Sequence, residues 1–164
     1  MRIALAAALA ALTLAGPALA QPVSIDRKQV SVAAARKMVD ACLAYAQANN
    51  IIVAVGVVGL DGVLLAFQTM EGAGPTTAET AILKAETSMH WRRSTRILEE
   101  DVTSGRNQAS VWINDFPKAG ALPIMIAGQA AGAIGVGGAA KQDECAQAGI
   151  DAVLGPQQPA TAQR

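Results

Sequence analysis

The segment TTAETAILKAETSMHW, residues 76–91, holds the side chains best equipped for chemistry. At a helical advance of about 100° per residue it separates into three stripes. Ala78, Ala81, Ile82, Ala85 and Met89 form an apolar face, and Glu79, Glu86 and His90 share a polar one with Leu83. The third stripe sets Lys84 among Thr77, Thr80, Thr87 and Ser88, with Trp91 at its end. Hydroxyl residues are mediocre helix formers because they compete for backbone hydrogen bonds, so a solvated face ordinarily carries Glu, Lys or Gln instead. Short hydroxyls flanking one amine leave a shallow polar groove, where Lys84 can hold an anionic group of a flat guest. A contact between helices or subunits is the alternative use of the same stripe. Lys84 serves as an amine nucleophile only if burial lowers its pKa.

His90 is the single histidine of the chain. Glu86 lies four residues before it, the spacing of a surface pair on a helix. Imidazole is also a usual axial donor to haem iron, which makes His90 the one candidate metal ligand. Met70, Met89 and Met125 read as core fillers. The chain has no GxSxG and no CxxC, so neither a serine-hydrolase elbow nor a closed zinc site is indicated.

A second stretch, GALPIMIAGQAAGAIGVGG at 120–138, raises the question of a phosphate loop. A dinucleotide fingerprint needs its glycines in the turn between strand and helix, whereas Gly132 and Gly135 fall inside a strand-like run. These glycines instead let a helix or ligand lie close against the strand. Gly137 and Gly138 are expected to turn into the last helix, whose first amides could hold a carboxylate or bind water.

The elements that must position these groups follow from periodicity. Ser31 to about Ala48 reads as a helix with Ala35, Val39, Cys42, Leu43 and Ala46 on one face. The β-branched run 51–58 and the segment VLLAFQ flank Asp61-Gly62 as a hairpin. Thr76 and Glu79 have capping-box spacing and open the next helix, which runs to about Trp91. A shorter helix is expected from Ser94 to Asp101, and loops with a short helix over 102–119. Leu122–Ile126 and Ala131–Val136 form a second hairpin, and Ala139–Leu154 the last helix. Helices and hairpins in this order argue for an α+β domain, with an antiparallel sheet of about five strands carrying packed helices.

Residues 1–20 combine one arginine, a short apolar run and an A-x-A ending, the pattern of a cleaved secretory signal. Export to the periplasm or beyond is therefore expected, with no membrane insertion once the signal is removed. Residues 21–29 are a lead-in, 30–154 the domain, and 155–164 a tail expected to be disordered. Thirteen basic and thirteen acidic residues give no net charge, and no basic face of the kind nucleic acid requires. Cys42 and Cys145 are either a disulfide or two small core residues.

Three places in the chain resemble the GlcG/HbpS-like family, the haem-degrading or haem-binding domain. VAVGVVGLDGVLLAFQTMEGA is similar to its first hairpin and the loop after it. Thr77, Ala81, Lys84-Ala85 and Thr87 fall where its following helix has hydroxyl, Ala, Lys-Ala and Thr. The 120–138 stretch followed by QDECAQAGI is similar to its closing hairpin and helix. The chain departs from the pattern at Glu71, where Asp is usual, and at Ala121-Leu122. The resemblance spans about residues 30–153. It implies a profilin-like or PAS-like fold, a homo-oligomer, and haem or another small anionic ligand held near Lys84, Thr77 and Thr87. It implies no axial iron ligand. A second class, a cofactor-free enzyme on a small organic acid with Glu71 or His90 moving a proton, stays open beside haem binding.

Overall fold

The computed structural model describes residues 23–138 and 140–156. The leader expected at 1–20 and the tail from residue 157 lie outside the described residues. Helix α1, Val32–Ala48, starts where the Ser31 hydroxyl accepts the Ala34 N–H and ends at Asn49. The hairpin β1 (Val53–Gly59) and β2 (Leu64–Thr69) follows, then α2 (Pro75–Trp91), α3 (Thr95–Thr103) and the single turn α4 (Ala109–Trp112). The second hairpin, β3 (Ala121–Ile126) and β4 (Gln129–Gly138), leads to α5 (Gln142–Leu154).

The four strands form one antiparallel sheet in the order β2-β1-β4-β3. The expectation of about five strands is corrected to four. Among the described residues the two hairpins supply every strand, and Val30, just before α1, adds a backbone bond to Ala131 O at 3.0 Å. Strands β1 and β4 are central, and all seven residues of β1 are buried.

One face of the sheet is covered by α1 and α5, the other by α2. Val53, Val55, Val57, Ile134 and Val136 meet Met38, Val39, Cys42, Cys145 and Ile150 in the larger core. Cys42 and Cys145 form a disulfide, with Cα atoms 4.7 Å apart, that ties α1 to α5. On the opposite face a smaller apolar cluster forms from Val58, Ala85, Met89 and Ala133, with Leu60 and Ala130 packed against it.

Three boundaries differ from expectation. Helix α2 begins at Pro75 with Gly74 as its cap and no side-chain capping bond, so Thr76 and Glu79 are not a capping box. Proline suits the first helical position, having no amide to leave unpaired, and moves the start ahead of Thr76. Gly137 and Gly138 are the last residues of β4 rather than a turn, since both pair with β1. Helix α5 begins at Gln142, not Ala139, because Lys141 sits before it in the left-handed region at φ 50°. Among the described residues, no helix is long and apolar enough to cross a membrane.

Candidate functional site

Helix α2 touches the sheet backbone to backbone. A Cβ placed on Gly135 would fall on the Ala81 carbonyl oxygen and 2.6 Å from the Ala85 nitrogen, and one on Gly137 would strike the Thr77 carbonyl. The glycine stretch is thus a packing seam. Its consequence is that the buried side of α2 is not the apolar stripe expected from periodicity. Lys84, Thr87 and Ser88 are buried beside Ala81, Ala85 and Met89, whereas Ala78 and Ile82 are only half-buried. With no Cβ opposing it, the helix settles on its small residues, and the polar stripe rotates inward.

Lys84 is 3% exposed. Its ammonium donates to the Val136 carbonyl at 3.2 Å and to Gln142 Oε1, while Gln142 Nε2 donates to the Gly138 carbonyl. Gln142 therefore clips the end of β4 to the lysine. Burial pushes the Lys84 amine down from 10.5 to about 8, against the opposing pull of Asp143 and Glu99, and Lys118 lowers it further.

This lysine lies in the wall of a pocket of about 460 Å³. Thr76, Thr77 and Thr80 form one side, and Gly138, Lys141 and Gln142 another. Arg96 and Glu99 of α3 and the loop carrying Phe116 and Lys118 close the remainder. Four cations (Lys84, Arg96, Lys118 and Lys141) face a single lining carboxylate, Glu99. Asp143, paired with Arg96, offsets one of them, and the remaining excess of two positive charges, in a chain of zero net charge, suits an acidic ligand.

Each rim charge has a partner. Arg96 is paired with Asp143, whose hydrogen bond raises the guanidinium pKa further. Burial pushes the Glu99 carboxyl up, but bonds from Lys118 and the Ala119 amide outweigh it and leave it below its ordinary value. Lys141 donates to Asn49 Oδ1 at 2.7 Å. Its left-handed backbone costs about 1 kcal/mol, a strain of the kind that collects at binding sites.

Of the residues singled out from sequence, Thr77, Thr80, Lys84 and Gly138 line the pocket. Gly137 is buried under α2. Thr87 donates to Leu83 O and accepts the Phe116 N–H at 2.8 Å, and Ser88 donates to Arg93 O. Both hydroxyls fasten loops rather than line the cavity. His90 also stands apart, its Nδ1 2.8 Å from Asp115 Oδ1, while the Trp91 indole donates to the other oxygen of Asp115. The expected pairing with Glu86 is replaced by this one because the chain after α4 returns Asp115 to the end of α2. Glu71 is exposed in the loop before α2 and does not line the pocket.

Arg96, Glu99, Lys118 and Gln142 were not foreseen. They come from separate elements, and no local spacing joins them to Lys84.

A four-stranded antiparallel sheet with helices on both faces and a lysine-walled pocket defines an α+β domain. Residues 30–151 match the HbpS-like family, described as haem degrading protein HbpS-like, and the chain belongs to that family. It is 31% identical over 119 residues to an uncharacterised 15.0 kDa protein from the dhaT-dhaS intergenic region of Citrobacter freundii, covering 70% of this chain and 84% of that one. The crystal structure of a double mutant of Streptomyces reticuli HbpS is similar at a TM-score of 0.74 and 28% identity, covering 87% of this chain and 99% of that one. A PduOC:heme complex shares the fold at a TM-score of 0.72 and 23% identity, over 79% and 99% of the two chains.

Proposed function

We propose that this chain is an exported haem-binding protein, a scavenger, carrier or sensor component, whose Lys84 pocket takes the acidic edge of the porphyrin. The observation that carries this reading is the cation excess around a buried lysine, in a family whose description names haem. The PduOC:heme complex, with the same fold, supports it. Export is supported by the leader pattern and by a disulfide of the kind that oxidising compartments allow.

Haem carries two carboxylates on one edge, an apolar macrocycle, and an iron that accepts axial donors. Lys84, Arg96, Lys118 and Lys141 fit the carboxylates, and Phe116 offers a ring to the macrocycle. None of the lining residues is His, Cys, Met or Tyr, so the pocket fits the acid edge and lacks the usual axial donors to iron. His90 lies six residues beyond Lys84, about 9 Å further along α2 and turned about 120° away. His90, held by Asp115, therefore faces a different side of the helix from the pocket. When bound, the group supplies its own redox chemistry, and the residues here hold and orient it. A homo-oligomer is part of the proposal.

Haemin titrated into the purified protein is expected to give a shifted Soret band, weakened in Lys84→Gln. A spectrum of free haemin alone at micromolar protein overturns the reading. His90→Ala is expected to leave the band in place.

A second reading is favoured by the size of the pocket. About 460 Å³ walled by four cations and three threonines has room for a whole small organic acid, whereas haem enters only by an edge. On this reading the chain acts on such an acid without a cofactor. Glu99, rather than the exposed Glu71, is the carboxylate within reach. An acid that copurifies with the wild type and is lost from Lys84→Gln supports it.

A further inference from the structure

We propose that Lys84 is a carbonyl-trapping amine, forming an imine with a small 2-oxo acid bound in the pocket. This rests on the second reading and adds a covalent step to it.

The argument begins with hydrogen-bond capacity. An ammonium has three N–H donors, while a neutral amine has two and a lone pair. The described residues give Lys84 Nζ two acceptors, Val136 O and Gln142 Oε1. Losing one proton therefore breaks neither bond. The lone pair takes the remaining tetrahedral position, away from the Val136 and Gln142 acceptors, on a side chain that lines the cavity. Most surface lysines gain nothing from such an arrangement, because water satisfies them in either form.

The surroundings suit the substrate class. Arg96, Lys118 and Lys141 line the same pocket and attract a carboxylate one bond from the carbonyl carbon. Thr77 and Thr80 present hydroxyls beside it. The charged groups that bear on Lys84 are Asp143 of α5, Glu99 of α3 and Lys118 of the loop before β3. Burial outweighs the two carboxylates, so a usable fraction of neutral amine exists near pH 8.

The step balances without any redox partner. The Lys84 lone pair forms a C–N bond to the carbonyl carbon, the nitrogen loses a proton, and the carbonyl oxygen gains one. The resulting hydroxyl then leaves as water with a second proton as the C=N bond forms. Amine and 2-oxo acid become imine and water. Nothing else is consumed.

Pyruvate and cyanoborohydride, added to the full chain near pH 8, are the test, with peptide mapping to locate the reduced adduct. Lys84 is expected to carry it in excess over surface lysines on the order of a hundredfold, the ratio of their neutral fractions. Acetone, the same ketone without the carboxylate, is expected to label Lys84 far less. Labelling of Lys84 should rise through pH 8, and that of the other lysines only nearer pH 10. Adducts spread over Lys28, Lys37 and Lys118 with none at Lys84 overturn the proposal. So does a reversible rise in Tm with pyruvate but no adduct, an outcome that leaves acid binding standing and removes the imine. The wild-type map decides the matter even where Lys84→Arg fails to fold.

Discussion

The two faces of the sheet are built by opposite rules. Under α1 and α5, the strands present valine and isoleucine, and the contact is side chain against side chain with a disulfide across it. Under α2, the central strand presents Gly135 and Gly137, and helix backbone rests on strand backbone. The first face buries apolar area, at about 25 cal/mol per Å² removed from water. The second buries an amine and two hydroxyls, Lys84, Thr87 and Ser88, each of which needs a partner. Stability is concentrated on one face, which leaves the other free to hold a charged group at a pocket wall. A lysine as closed in as Lys84 would be hard to sustain in a domain without that division.

The largest expected effect is on the first face. The disulfide joins positions 103 residues apart, and closing a loop of that length stabilises by about 5 kcal/mol. Urea unfolding with and without reductant should show a loss of that order. A loss under about 1 kcal/mol would mean that the valine and isoleucine core holds α1 and α5 unaided.

On the second face, Lys84 links stability to pH. Its folded pKa of about 8 lies below the ordinary 10.5, so between those values the unfolded chain binds more protons than the folded one. Stability attributable to this group therefore rises with pH across that window, and below pH 8 the cost of the buried charge is present in full. The ceiling is about 3 kcal/mol. The measurement is the difference in pH dependence between wild type and Lys84→Met from pH 7 to 10.5. Parallel curves would mean that the ammonium is as well solvated folded as unfolded.

Gly135→Ala tests the seam itself. The added methyl meets the backbone of Ala81 and Ala85, which cannot turn aside as a side chain can. A loss of about 2–3 kcal/mol is expected, from overpacking. The control is Gly128→Ala at the hairpin turn, where no atom lies within 4 Å of the added carbon and the cost is that of the positive φ alone.

The contrast between faces also explains what could be read in advance. The α1 stripe, the two hairpins and the α+β class were legible because alternation and a 3.6-residue period report directly on burial of apolar side chains. The buried side of α2 was not, since its partner is a strand of glycines whose closeness no hydropathy pattern encodes. Lys84, Thr77 and Thr80 were legible as pocket-lining residues through a local peculiarity, hydroxyls beside an amine on a helix, whereas Gly138, expected in a turn, lines the pocket from the end of β4. Arg96, Lys118 and Gln142 arrive from elements distant in sequence, and only the closed fold assembles them. Thr87 and Ser88 belonged to the same stripe, yet point to loops because the helix sits rotated from its apolar moment.

Thr87 gives the smallest and most discriminating change. Its hydroxyl both back-bonds to Leu83 O and accepts the Phe116 N–H, so it anchors the loop that brings Phe116 and Lys118 to the pocket. Thr87→Val keeps the shape and removes the acceptor, leaving one amide short of a partner at a cost of about 1–2 kcal/mol. Thr87→Ser keeps the oxygen and should recover most of that loss. If the hydroxyl serves packing alone, the valine variant lowers the urea midpoint without touching ligand affinity. If it positions the pocket wall, pyruvate or haemin binds several-fold more weakly to the valine variant, and serine restores it. The second outcome is expected, because the loop that Thr87 fastens carries two of the pocket's lining residues while contributing little to either core.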